Sequence, residues 1–267
     1  MDNSSEPLDF SQLPDVSDEY PDPDPEEQLI AVSAAHGLAR YNALQHIFGK
    51  THPEDSVLEP KDQDLFLNWI GGAALCFPPQ RDRKSWYYVT HGLAQPIEED
   101  DYMPALLEDY LDYRDMNNEE PISGWGIELV ISTQDFYGWA PDLLMSLVKY
   151  LLFNENSEMI LTGHRLPLGS PIASAAEPGL NHLLAVTSPE YPTNIRLPGG
   201  LCSLIHVVGV TEAEVERART LEGPRGSLAL QRVLEKLGVG CVTDPDRSCV
   251  TTHPQFDQAW QEAESNV

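Results

Sequence analysis

Between Pro141 and Phe153 the chain carries Leu143, Leu144, Leu147, Val148, Leu151 and Leu152, against a narrow polar stripe of Asp142, Ser146 and Lys149. At 3.6 residues per turn, that leaves apolar side chains around most of a helix. Such a helix is stable only with further layers packed around it, so the fold must bury it deeply. Pro141 suits a first helical turn and Asp142 the positive end of the helix dipole. The stretch is far too short to cross a bilayer.

The surrounding sequence supplies both kinds of layer. Trp86 to His91 is aromatic and β-branched, and reads as a strand. Gly124-Trp125-Gly126 opens a second strand, Ile127 to Thr133, and Leu183–Val186 and Leu201–Val210 read as buried strands. Thr211-Glu212-Ala213-Glu214 is a capping box that turns the last of these into a helix over 212–219. Ile30, Ala34, Tyr41, Leu44 and Phe48 form one helical stripe stopped by Gly49, and Leu230, Val233, Leu234 and Leu237 form another stopped by Gly238. Trp69 to Phe77 is apolar and closed by Pro78-Pro79. Residues 239–251 read as a hairpin about Asp244-Pro245-Asp246-Arg247, and 255–264 as a short terminal helix. Helices and strands are interspersed without internal repeat. The fold class is therefore α/β (mixed α+β): a mixed β-sheet packed by helices.

Cys76, Cys202, Cys241 and Cys249 show neither a CxxC pair nor a metal-ligand spacing. On the expected hairpin Cys241 and Cys249 face opposite sides, so reduced thiols in a reducing compartment are expected. The start Met1-Asp2-Asn3-Ser4-Ser5-Glu6 has no basic or apolar run of a secretory signal. The expected location is cytoplasmic.

Charge narrows the function classes. With 43 acids against 16 bases the formal net charge is −27. Spread over roughly 11,600 Å² of folded surface, that is one uncompensated charge per ~430 Å². Phosphate backbones and anionic lipids are repelled, which argues against nucleic-acid and membrane roles, whereas a basic protein partner gains in association rate. Two segments concentrate the acids. Residues 1–28 hold ten acids, five prolines and no base, and read as a disordered acidic Pro-rich tail ahead of a single domain over 29–267. Within the tail, Leu8, Phe10, Leu13, Val16 and Tyr20 form either a docking motif or nothing beyond a solubilising segment. Residues 98–120 hold ten acids against Arg114 alone, with Leu106, Leu107, Tyr110, Leu111 and Tyr113 suited to a partly helical stretch. Glu98, Glu99, Asp100, Asp101, Glu108, Asp109 and Asp112 are the candidate partner-binding residues.

Catalytic motifs are missing. Gly49-Lys50-Thr51 has Leu44 where a phosphate-binding loop needs its first glycine, and it follows a helix rather than a strand. Gly124-x-Gly126 has Leu129 in place of the third glycine of a dinucleotide fingerprint. There is no HExxH and no GxSxG. His206, inside Leu204–Val210, reads as a hydrogen-bonded core histidine, and His91 at a strand end lacks a nameable partner acid. Glu128 shares a strand face with Gly126 and Val130; a buried carboxylate there needs an arginine or backbone partner, or an altered pKa. No catalytic residue, metal or cofactor is assigned.

Four stretches together resemble the Suppressor of fused (SUFU) family: Trp86-Tyr87-Tyr88-Val89-Thr90-His91-Gly92-Leu93; Ser123-Gly124-Trp125-Gly126-Ile127-Glu128-Leu129; Trp139-Ala140-Pro141-Asp142-Leu143-Leu144 through Phe153; and Leu204-Ile205-His206-Val207-Val208-Gly209-Val210 with the Glu-rich helix after it. The resemblance spans roughly residues 30–250, with Trp86, Gly92, Gly124, Trp125, Gly126, Glu128, Trp139 and Gly209 as its signature positions. It implies a SUFU-like domain whose work is stoichiometric protein binding without chemistry. Animal members add a second domain and sequester a transcription factor in Hedgehog signalling; a chain of 267 residues is not expected to hold that second domain as well. Single-domain bacterial members are implied to be immunity proteins that bind and block a cognate polymorphic toxin. The expectation is an immunity protein against a basic toxin domain; the alternatives are a SUFU-like regulatory scaffold and, third, an enzyme of unknown activity.

Overall fold

The structure, a computed structural model, describes residues 7–13, 25–53, 57–69, 71–80, 82–96, 105–117, 119–154, 157–172 and 179–267. In chain order they form β1 (Leu8–Asp9), α1 (Pro25–Phe48), β2 (Val57–Leu58), α2 (Gln63–Asn68), β3 (Ala73–Phe77), β4 (Trp86–His91), α3 (Ala105–Met116), β5 (Ile122–Thr133), α4 (Trp139–Phe153), β6 (Arg165–Pro167), β7 (His182–Val186), β8 (Asn194–Leu197), β9 (Gly200–Val210), α5 (Glu212–Ala218), α6 (Arg225–Lys236) and α7 (Phe256–Glu264).

The strands make one mixed sheet with the path β1-β8-β9-β5-β4-β3-β2; β7 also pairs with β9, and β6 with β7. The β5–β9 and β1–β8 pairs are parallel and the others antiparallel. A parallel pair needs a crossover, and α4 lies in the connection that returns β5 to β9. Alternation along the central strands then sets two faces. Ile127, Leu129 and Ile131 of β5, with Ile205 and Val207 of β9, pack on Leu144, Leu147, Val148 and Leu151 of α4. Each of those four α4 side chains stabilises the fold by about 1.5–3 kcal/mol. On the opposite side Val130, Leu204, Tyr87 and Val89 meet Ala43, Leu44 and Phe48 of α1. The third cluster joins Val208, Val210, Leu184 and Val186 to α5, α6 and α7.

The sequence-based expectations need correction in four places. The buried side of α1 is the row Ala31, Ala35, Ala39 and Ala43 with Leu44 and Phe48, while Ile30 is 52% exposed and Ala34 also faces solvent. Small side chains every fourth residue bring the helix close to the sheet, which a stripe of larger residues could not. Residues 239–251 form no hairpin. Thr243 N donates to Ser132 O at 2.8 Å, Val242 bridges Ser132 in parallel, and 250–252 is a 3-10 turn. The expected 1–28 tail is entered from both ends: α1 starts at Pro25, and Leu8–Asp9 pairs with Ile195–Arg196 at the sheet edge. Phe10 N donates to Arg196 O at 2.7 Å and the Phe10 ring stands edge-on to His46. Residues 1–6 and 14–24 lie outside the described residues. Finally, β5 begins at Ile122, ahead of its glycines, and its pairing with β9 shifts register between Ile122 and Ile127. All four cysteines are buried, and none of them is joined in a disulfide.

Candidate functional site

Glu128 sits in the middle of β5 with no exposed surface. Its Oε2 accepts from Thr90 Oγ1 at 2.5 Å, and its Oε1 accepts from the backbone N–H groups of Gly92 and Ala94, each at 3.0 Å. Arg40 of α1, 3% exposed, places Nε 3.6 Å from the same Oε1 and donates from Nη1 to Gln95 at 2.9 Å. Burial raises the Glu128 pKa, while Arg40 and the three donors oppose that shift. Thr90 Oγ1 also accepts from Leu129 N at 2.8 Å, so it continues the β4–β5 pairing where the ladder ends. Every carboxylate oxygen is in use. The group anchors the turn after β4 and α1 to the sheet.

His206 is likewise closed off. Ser132 Oγ donates to Cys241 O at 3.0 Å, so it accepts from His206 Nε2 at 3.1 Å, which leaves Nδ1 to accept from Tyr191 OH at 2.9 Å. Burial drives its pKa down to about 3 and holds Tyr191 well above the usual phenol value. A serine beside an imidazole suggests a nucleophile and base, but this imidazole carries its proton on the nitrogen facing the serine. Both residues are fully buried. A substrate cannot reach them. His91 donates from Nε2 to Gly37 O at 3.2 Å and is pushed down to about 3 by burial, with Arg40 adding to the shift.

The capping-box glutamate does more than cap. Glu214 accepts from Thr211 N at 2.9 Å as the motif requires, but also takes both Nη atoms of Arg247 at 2.6 Å and Val250 N at 2.7 Å. Arg247 Nη2 in turn donates to Gly209 O at 3.0 Å. This fork holds the segment after α6 against the end of β9, and is why Asp244–Arg247 does not close a hairpin.

The signature positions serve the same scaffold. Gly124, at φ 56°, has no room for a side chain: a Cβ there would lie 2.2 Å from Gln95 O. Gly209 N donates to Thr243 Oγ1 at 3.0 Å, and its missing Cβ leaves room for the Thr243 methyl. Gly92 donates to Glu128, Gly126 bends β5 at φ 68°, and Trp125 is buried in the core under α4. Trp86 and Trp139 are half-buried at the start of β4 and of α4.

Of the candidate binding acids, Glu108, Asp109 and Asp112 are exposed on α3, which turns Leu107, Leu106, Tyr110 and Leu111 towards the core. Glu98, Glu99, Asp100 and Asp101 lie outside the described residues. Arg114, in the last turn of α3, pairs with Glu119 at 2.7 Å, and Arg196 pairs with Glu120. No group of three or more His, Cys, Asp or Glu among the described residues could hold a metal. Arg40, Tyr191 and Arg247 escaped the sequence reading. Arg40 had one available signal, its place beside the alanine row of α1.

These features define a class: an α/β domain with helices on both sheet faces, whose buried ionisable groups clamp strands and loops in closed networks. The chain belongs to the Suppressor of fused family, whose model, described as "Suppressor of fused protein (SUFU)", matches residues 70–248. Solved structures agree at the level of fold. The chain is similar to Drosophila Suppressor of Fused (TM-score 0.50, 19% identity, covering 72% of this chain and 45% of that one). It is similar to a chain of the Sufu-Fu complex (TM-score 0.54, 17% identity, 87% of this chain and 96% of that one). A SUFU homolog from Neisseria gonorrhoeae FA 1090 also matches (TM-score 0.54, 12% identity, 81% of this chain and 97% of that one). This chain thus spans less than half of the Drosophila chain and nearly all of the other two. No curated protein sequence matches it.

Proposed function

We propose that this chain is a non-catalytic protein-binding domain, an immunity protein that neutralises a cognate polymorphic toxin in the cytoplasm. The observation that carries the reading is how the chain distributes its charge. Among the described residues the fully buried acids Glu128 and Glu214 are each paired with an arginine, Arg40 and Arg247, so neither contributes to the formal excess of −27. A basic partner, such as a nuclease toxin domain, gains encounter rate and selectivity from that field, while nucleic acid and anionic membrane are repelled. Glu108, Asp109 and Asp112, exposed on α3, are the proposed steering residues, together with Glu98, Glu99, Asp100 and Asp101 shortly before them in sequence. The reading requires no cofactor or metal. No helix among the described residues is long and apolar enough to cross a membrane.

A second reading, a SUFU-like scaffold that sequesters some other protein, is favoured by the similarity to a chain of the Sufu-Fu complex. Co-expression with the C-terminal domain of a large open reading frame immediately upstream separates the two. Immunity expects rescue of growth and a one-to-one complex on gel filtration. A complex with a partner that harms no cell favours the scaffold. Continued growth arrest without a complex overturns immunity.

A further inference from the structure

The turn between β5 and α4 leaves aromatic rings at the surface. Phe136 is 44% exposed, and Trp86 meets it edge-on with ring centroids 5.1 Å apart. Tyr137 stacks on Trp139 at 5.8 Å, and both remain partly open. The turn is held from beneath, where Tyr137 N donates to Tyr88 OH at 2.9 Å and Thr133 Oγ1 to Asp135 O at 2.6 Å. The rings are therefore presented on a fixed backbone. Asp135 lies in the same turn and hydrogen-bonds to Tyr137; burial raises the Tyr137 pKa, and the carboxylates of Asp135, Asp244 and Asp246 add to the shift. Among the described residues, Lys61 pairs with Asp142 and Lys149 with Asp62.

The His52 ring also packs on this cluster, 5.9 Å from Phe136 and 5.7 Å from Trp86, yet the exposed parts of the rings with carboxylates beside them suit a guanidinium, which stacks on a ring while its N–H fork meets an acid. We infer that this aromatic rim docks an arginine-bearing segment of a protein partner. The inference rests on the protein-binding reading above and assigns it an anchoring surface distinct from the acidic face of α3.

The test uses the full chain with hexa-arginine and hexa-lysine peptides as probes at two salt concentrations. Binding can be followed by calorimetry and by tryptophan fluorescence, since Trp69, Trp125 and Trp260 are buried while Trp86 and Trp139 are partly open. Hexa-arginine should bind more tightly than hexa-lysine and perturb the fluorescence. Phe136→Ser with Tyr137→Ser should weaken hexa-arginine about tenfold, the scale expected for two lost cation–π contacts. Asp135→Asn alone, which leaves the rings in place, should weaken it severalfold. Neutralising Glu108, Asp109 and Asp112 together should cost threefold at most. Equal losses from the rim and α3 variants, equal affinity for the two peptides, or no binding by the unaltered chain would each overturn the rim. None of these outcomes touches rescue in co-expression, so failure of the rim and failure of the immunity reading remain separable.

Discussion

Arg40 and Glu128 face each other across the α1–β5 contact with Nε and Oε1 3.6 Å apart, both screened from solvent. A buried ion pair stabilises little against an apolar replacement of the same shape, but removal of one partner strands a charge. Arg40→Met should therefore cost about 3–5 kcal/mol in urea denaturation. Adding Glu128→Gln to that variant should recover a good part of the loss. A double variant no more stable than the single would mean that the two side chains are not coupled.

Acid should unfold the protein through its histidines. His206 is held at about 3 by burial, against an ordinary value near 6.5. The folded state binds fewer protons than the unfolded chain, so this stability is whole above about pH 6.5 and is lost as the pH falls towards about 3. At pH 5 the loss from His206 is about 2 kcal/mol. His91, also pushed down to about 3, titrates in the same direction. Denaturation at pH 7 and pH 5 should show a smaller drop for His206→Gln than for the unaltered chain, whatever its absolute stability.

Leu147 stands at the centre of the apolar side of α4, 6% exposed. Leu147→Ala should cost about 2–5 kcal/mol by calorimetry or denaturant titration, the range for a buried leucine that leaves a cavity. A cost under about 1 kcal/mol would place the side chain at the surface.

The N-terminal strand should matter far less. Leu8 and Asp9 are both exposed in β1, and among the described residues 7–13 only Phe10 packs against the core. Of the described contacts, deleting residues 1–13 removes a short edge pairing and one partly buried ring. The thermal midpoint should fall by only a few degrees, as about 1 kcal/mol does for a chain of this size.

What the sequence revealed was set by local signals. The apolar runs of β4, β5, β9 and α4 and the capping box at Thr211 are each written within a dozen residues, and each element stands where the pattern put it, to within a few positions. β1, β2, β6 and β8 have two to four residues each and owe their conformation to a neighbouring strand. Such short runs hold too little periodicity to be read. The hairpin about Asp244 failed for a related reason. Its turn chemistry was sound, but Glu214 and Ser132, far away in sequence, claim Arg247 and Thr243. The burial of Glu128 could be read from its strand; its arginine lay on a distant helix. Nothing local identified Arg40 as that partner.

The acidic face on α3 makes the last prediction. Glu108, Asp109 and Asp112 are exposed on a helix whose other side is buried. Glu98, Glu99, Asp100 and Asp101 precede it in sequence. Charges at the rim of an interface act on diffusional encounter far more than on the docked complex. Replacing the four residues 98–101 by Gln or Asn, or the three on α3, should slow association with the cognate basic toxin domain and flatten its dependence on salt. The dissociation rate should change less, because contacts that hold the docked complex lie elsewhere. Stopped-flow association at two ionic strengths measures both quantities. A neutralised variant that still associates at the unaltered rate at low salt would show that this face takes no part in capture, and that the net charge serves solubility alone.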